Sequence, residues 1–138
     1  MSYGAAAALQ AAVYQRLRAS ATLSTLIGTA IYDAVPEGTP VGTWVALGPE
    51  DVRNVGDITA PAAEHEFSVS VVTDLPGFQR AKAVAVAVSD ALVDAPLTLA
   101  RGRLTGLQFL RAKARRVEAG EARRIDLTFR ARIDFQEG

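Results

Sequence analysis

From residue 125 to residue 135 the chain alternates without interruption. Ile125, Leu127, Phe129, Ala131, Ile133 and Phe135 fall on one side, and Asp126, Thr128, Arg130, Arg132 and Asp134 on the other. A period of two over that length predicts a strand with one dry and one wet face. Residues 104–117 form a second extended run, and Glu118-Ala119-Gly120-Glu121-Ala122 joins the two. Two runs linked by a short glycine-containing segment predict a β-hairpin. The earlier run is imperfect: Leu107 and Phe109 share a side, whereas Leu110, Ala112 and Ala114 take the other. A bulge, or a strand buried on both sides at one end, is expected there.

Helical spacing appears twice. Over residues 5–19, Leu9, Ala12, Val13 and Leu17 mark one face, and the alanine run favours helix by propensity. Ser20 is placed to cap a short second turn holding Leu23, Leu26 and Ile27, which Gly28 ends. Pro76-Gly77 opens a second main helix reaching about residue 93, with Phe78, Ala81, Ala85, Val88 and Leu92 along one face. Val84 to Val88 also fits a strand; the total length favours helix. Val86 and Val93 lie off the main stripe and suit a second apolar surface.

Short strands are expected at Ile31–Tyr32, leading into a turn at Pro36-Glu37-Gly38, and at residues 43–47; a longer one spans 64–73. Between them, residues 48–63 show no periodicity and contain Pro49, Gly56 and Pro61 with Glu50, Asp51, Arg53 and Asp57. This predicts a long irregular loop, mobile in the isolated chain and ordered by a partner. The order of elements predicts a single α+β domain over residues 1–138. It is a mainly antiparallel sheet with two main helices packed on one face and a long C-terminal β-hairpin.

Composition narrows the function more than the fold. Formal net charge is zero, which disfavours a general nucleic-acid binder. The absence of cysteine removes disulfides, thiolate metal sites and cysteine nucleophiles. The N-terminus does not have the pattern of a secretory signal, and no apolar run approaches the roughly 20 residues that span a bilayer. A soluble intracellular protein with no membrane partner is the expectation.

No constellation points to catalysis, a cofactor or a metal. His65 is the only histidine, and it stands in phase with Phe67 at the start of a strand, where a structural role is expected. Glu64 and Glu66 read as solvated carboxylates, and Ser68 and Ser70 have no nucleophile elbow. The hairpin differs. Arg111, Lys113, Arg115, Arg116, Arg123 and Arg124 cluster near its tip, against Glu118 and Glu121. Two readings stay open: a ribbon whose charge blunts edge pairing, or a docking arm for an acidic surface. Acidic residues gather mid-chain at Glu50, Asp51, Asp57, Glu64 and Glu66. A basic arm and an acidic segment on one neutral chain can meet head to tail between copies, a contact that builds rings when the rotation closes.

A set of scaffold positions carries a further likeness. They are Ala8-Leu9-Gln10-Ala11-Ala12-Val13-Tyr14 with Leu17; Ile31-Tyr32-Asp33-Ala34-Val35-Pro36; Val45-Ala46-Leu47-Gly48; His65 with Phe67, Val69 and Val71; Gly77-Phe78 with Ala81-Lys82 and Asp90-Ala91-Leu92; and the hairpin from Gly102-Arg103-Leu104 to Phe129-Arg130-Ala131. In these positions the chain resembles the tail-terminator, or tail-completion, proteins of long-tailed bacteriophages and gene transfer agents. The resemblance implies a structural protein, with no cofactor and no chemistry. Family members form a homohexameric ring on the head-proximal end of the tail tube, assembled in the bacterial cytoplasm and carried in the particle. The ring ends tube polymerisation and offers a docking face to the neck, or stopper, protein. DNA passes through its lumen without being read. The competing expectations are a stopper ring or tube subunit, a nucleic-acid binder using the basic hairpin, and a small enzyme with its site in the 48–63 segment.

Overall fold

The computed structural model describes residues 3–35, 37–38, 40–117 and 122–135. In chain order the elements are α1 (Ala6–Arg18), α2 (Ala21–Ile27), β1 (Ile31–Tyr32), β2 (Thr43–Asn54), β3 (Ala62–Thr73), α3 (Gln79–Leu92), β4 (Arg103–Val117) and β5 (Ala122–Asp134). The strands form one sheet in the order β1-β2-β3-β5-β4. β1 runs parallel to β2, and the other pairs are antiparallel. This is the α+β arrangement that the pattern predicts. No described helix is long and apolar enough to cross a membrane.

Local chemistry explains the helix ends. Ser20 accepts a hydrogen bond from the Leu23 amide at 3.2 Å, and Gly28 leaves α2 at φ 61°, a conformation costly for residues with a Cβ. Gly77, at φ 79°, turns the chain into α3. The Val84–Val88 run is helical: Ala81, Val84, Ala85, Val88 and Leu92 lie buried on one side, as a period of 3.6 requires.

The helices cover one face of the sheet. Leu9, Val13 and Leu17 of α1 join the α3 stripe over Val45, Val69, Val71, Ile125, Leu127, Phe129 and Ile133. Phe67 stacks on Phe129 at 5.6 Å between ring centroids, and Phe109 meets Phe129 edge-on at 6.0 Å. Arg16 ties the two long helices together by donating to the Ala91 carbonyl at 2.9 Å. The opposite face is open and polar except at one end, where Trp44, Ala46 and Val72 form a small cluster with Tyr32.

One expectation is overturned. Residues 48–63 are not a single loop, because β2 continues to Asn54 and β3 begins at Ala62. The apparent breakers Gly48 and Pro49 sit in a register shift between Leu47 and Glu50. Such a bulge absorbs an extra residue, and β1 pairs with β2 only at Val45 and Ala46, so Pro49 lies on an edge where no ladder hydrogen bond is required of it. The remaining turn is built rather than slack. Asp57 Oδ1 accepts from the Thr59 amide, the Thr59 hydroxyl and the Ala60 amide at 2.8–2.9 Å. A Cβ on Gly56 would stand 2.2 Å from the Ala60 carbonyl oxygen, so its glycine serves close approach.

The imperfect run in β4 is explained by a second register shift, between Phe109 and Arg111. The extra residue, Leu110, returns Ala112 and Ala114 to the helix side of the sheet, opposite Leu127 and Ile125. Another shift lies between Leu104 and Gly106.

Candidate functional site

Among the described residues no group of His, Cys, Asp or Glu could hold a metal ion. His65 is fully buried beneath the helices, opposite Ala131 and Val52, and neither ring nitrogen has a hydrogen-bond partner. Burial pushes its pKa down, against a smaller upward pull from Glu50, so the ring is held in its neutral form. Glu64 is not simply solvated: Arg53 reaches it at 2.6 Å and Arg130 at 3.8 Å. Ser70 donates to Asp126 at 2.6 Å, and Asp126 also pairs with Arg124 at 2.8 Å and Arg115 at 3.7 Å. Partial burial works to raise the Asp126 pKa; the Ser70 hydroxyl and the two guanidiniums outweigh it and hold the carboxylate below its ordinary value.

The surface is organised by charge at the two edges of the sheet. On the open face, Asp51 stands directly opposite Glu66 and Arg53 opposite Glu64. Glu50 falls on the helix side, opposite Phe67, where the Tyr3 hydroxyl donates to its carboxylate. That contact raises the Tyr3 pKa, through the hydrogen bond first and the carboxylate charge second. Asp57 lies in the β2–β3 turn, its pKa lowered by the Thr59 hydroxyl and by the Ala60 and Thr59 amides.

At the other edge, Arg111, Lys113 and Arg115 of β4 share the open face with Arg124 of β5. Arg115 stands opposite Arg124, and Arg116 opposite Arg123. Arg115 and Arg116 therefore point to opposite faces, which corrects their treatment as one polar cluster. Arg123, on the helix side, donates to the Leu75 carbonyl at 3.2 Å and lies over the Phe78 ring. Glu118 and Glu121 lie outside the described residues.

Like charges placed directly opposite each other destabilise a sheet unless something neutralises them. The Arg115–Arg124 pair has Asp126. Asp51, Glu66, Arg111, Lys113 and Arg116 make no ion pair among the described residues. Asp51 cannot pair with Arg111 or Lys113 within the chain, because β3 and β5 separate β2 from β4 by about 14 Å at the usual strand spacing.

The second apolar surface expected at Val86 is part of a larger feature. Between α3 and the hairpin lies a groove of about 350 Å³, lined by Val86, Phe109, Ala112 and Ala114 above Ile125 and Leu127, with Lys82 at its rim. Val86 is 59% exposed and Phe109 43%. The off-stripe position of Val86 was the only signal for it. Lys82 carried no sign of its place beside the hairpin.

The family model for tail completion protein gp17 matches residues 11–134. Among solved structures, a chain from "Virion of native gene transfer agent (GTA) particle" is similar at 64% identity and a TM-score of 0.91, over 96% of this chain and 99% of that one. No curated protein matches.

Proposed function

The chain belongs to the tail completion protein gp17 family, and from that premise we propose that it forms the ring that closes the head-proximal end of a phage-like tail. It is a structural protein of the virion tail. In the finer reading it is a homohexameric terminator: one face binds the last ring of tube protein and ends polymerisation, and the other receives the neck protein. DNA crosses the lumen without being read, in keeping with zero net charge.

The observation that carries this reading is the 64% identical chain that fills the same length inside a gene transfer agent virion. The physical features agree. Among the described residues Asp51 at one sheet edge and Arg111 and Lys113 at the other make no ion pair, a distribution suited to head-to-tail contacts. The test is to produce particles without this chain. Heads and tails that fail to join, with tubes of uncontrolled length, are expected. Tubes of normal length would contradict a terminator, and the absence of any tube would assign the chain as the tube subunit.

A further inference from the structure

β4 is the outermost strand, and no strand lies against its outer edge among the described residues. It runs from Arg103 to Val117, a long stretch to leave open. On the opposite side of the sheet, β1 covers β2 only at Val45 and Ala46, so residues 47–53 also face outward. Long open edges invite pairing with another chain. Here one edge also has an apolar groove beside it.

We propose that the edge of β4 and the groove of Val86, Phe109, Ala112 and Ala114 receive residues 47–53 of β2 from a second copy of this chain, so that neighbouring subunits share one continuous sheet. The proposal rests on the ring reading above and names the joint between subunits.

Charge identifies the occupant. Among the described residues Arg111 makes no ion pair, and Lys113 makes none although it stands opposite Asp126; Asp51 at the β2 edge makes none, and Glu66 on β3 none although it stands opposite Arg130. Edge-to-edge contact brings Asp51 beside Arg111 and Lys113 and sets positive charge next to the Asp51–Glu66 pair. On the helix side, Val52 of the incoming strand faces the apolar groove, and Glu50, which already accepts from the Tyr3 hydroxyl of its own chain, lies on the same side as Lys82 of the groove lining. Direction agrees as well. β2 and β4 run in opposite senses within one chain, so copies set side by side in the same orientation pair antiparallel. A two-fold contact of β4 with β4 would instead set Arg111, Lys113, Arg115 and Arg116 against themselves, which like-charge repulsion disfavours. The joint is therefore heterologous, and it closes into a ring when the rotation permits.

Two charge-reversed proteins test this. One carries Arg111→Glu with Lys113→Glu, and the other Asp51→Lys with Glu66→Lys. Self-association is read by sedimentation, alone and on tail tubes, with thermal unfolding as the folding control. Each variant alone is expected to associate at least about tenfold more weakly than the unmodified chain. An equimolar mixture is expected to recover association, because both kinds of joint then oppose unlike charges. A second measurement does not depend on those folds. The natural chain has no cysteine, so Asp51→Cys with Lys113→Cys on one chain should give a reducible ladder of cross-linked oligomers on oxidation. If the unmodified chain assembles but the reversed variants assemble equally well, or if only cross-link-free monomer forms, this joint is wrong and the ring reading stands. If the unmodified chain never assembles, even on tubes, the ring reading fails and the joint with it.

Discussion

The two strands of the C-terminal hairpin are partners over their whole length and have opposite fates. β5 lies between β3 and β4 beneath α3, and Ile125, Leu127, Phe129, Ala131 and Ile133 are all buried. β4 has one neighbour and little cover, and of its residues only Leu107 is buried. The difference is not one of strand propensity, since both strands carry alternating apolar and charged residues. It comes from position in the sheet. The helices extend far enough to seal the centre and stop short of the edge. β5 holds the monomer together, whereas β4 presents apolar and basic surface that folding alone does not use.

The sharpest way to break this comparison is to truncate one phenylalanine on each strand. Phe129→Ala removes a ring that stacks on Phe67 and meets Phe109, and is expected to cost about 3–5 kcal/mol of stability in urea unfolding. Phe109→Ala, at a half-exposed site, should cost clearly less in the free chain, and its main effect should fall on assembly. Equal losses would mean that β4 belongs to the core as much as β5 does.

A second probe reads the buried centre through pH. His65 is neutral in the fold and has no hydrogen-bond partner, so its folded pKa lies below the unfolded value of 6.5. A group whose folded pKa is lowered favours folding above its unfolded pKa. Stability should therefore be complete above about pH 6.5 and decline as pH falls from there towards the folded value. His65→Leu should remove that decline and raise stability at neutral pH by about 1 kcal/mol, since an unsatisfied buried polar group is lost. The urea midpoint at pH 7.5 and pH 5.5 measures both effects; an unchanged slope in the variant would assign the acid sensitivity elsewhere.

Smaller effects are expected at the periphery. Ser20→Ala removes the cap on α2 and should cost about 1 kcal/mol in thermal unfolding. Arg111→Ala, on the bare strand, should change the free chain's stability by no more than about 0.5 kcal/mol, because exposed substitutions away from special features are near neutral. A larger loss there would show that β4 already has work to do inside the monomer.

The sequence makes the centre of the molecule legible and its edges much less so. β5 can be read residue by residue because no bulge interrupts its period, and α1, α2 and α3 follow from spacing, the Ser20 cap and the turns at Gly28 and Gly77. β2 is misread past Leu47 because Gly48-Pro49 has the composition of a loop. Only the shortness of β1, a tertiary fact, makes a proline harmless there. The charged residues are visible as types, but their faces depend on where the bulges fall, and alternation alone separates Arg115 from Arg116. Of the groove only Val86 is signalled, by its place off the helical stripe, because the rest exists only once α3 is laid across the hairpin. Ser70, an unremarkable strand serine in the sequence, proves to be the support of Asp126 between two arginines.

The most direct measurement is hydrogen exchange on the dilute chain and on the same chain assembled at the end of a tail tube. Edge amides of β4 and of residues 47–53 in β2 should exchange quickly in the free chain and gain protection together on assembly, while the amides of β5 remain slow in both states. Fast exchange along β4 that persists in the assembled tail would contradict the claim that this edge is completed by a neighbouring copy.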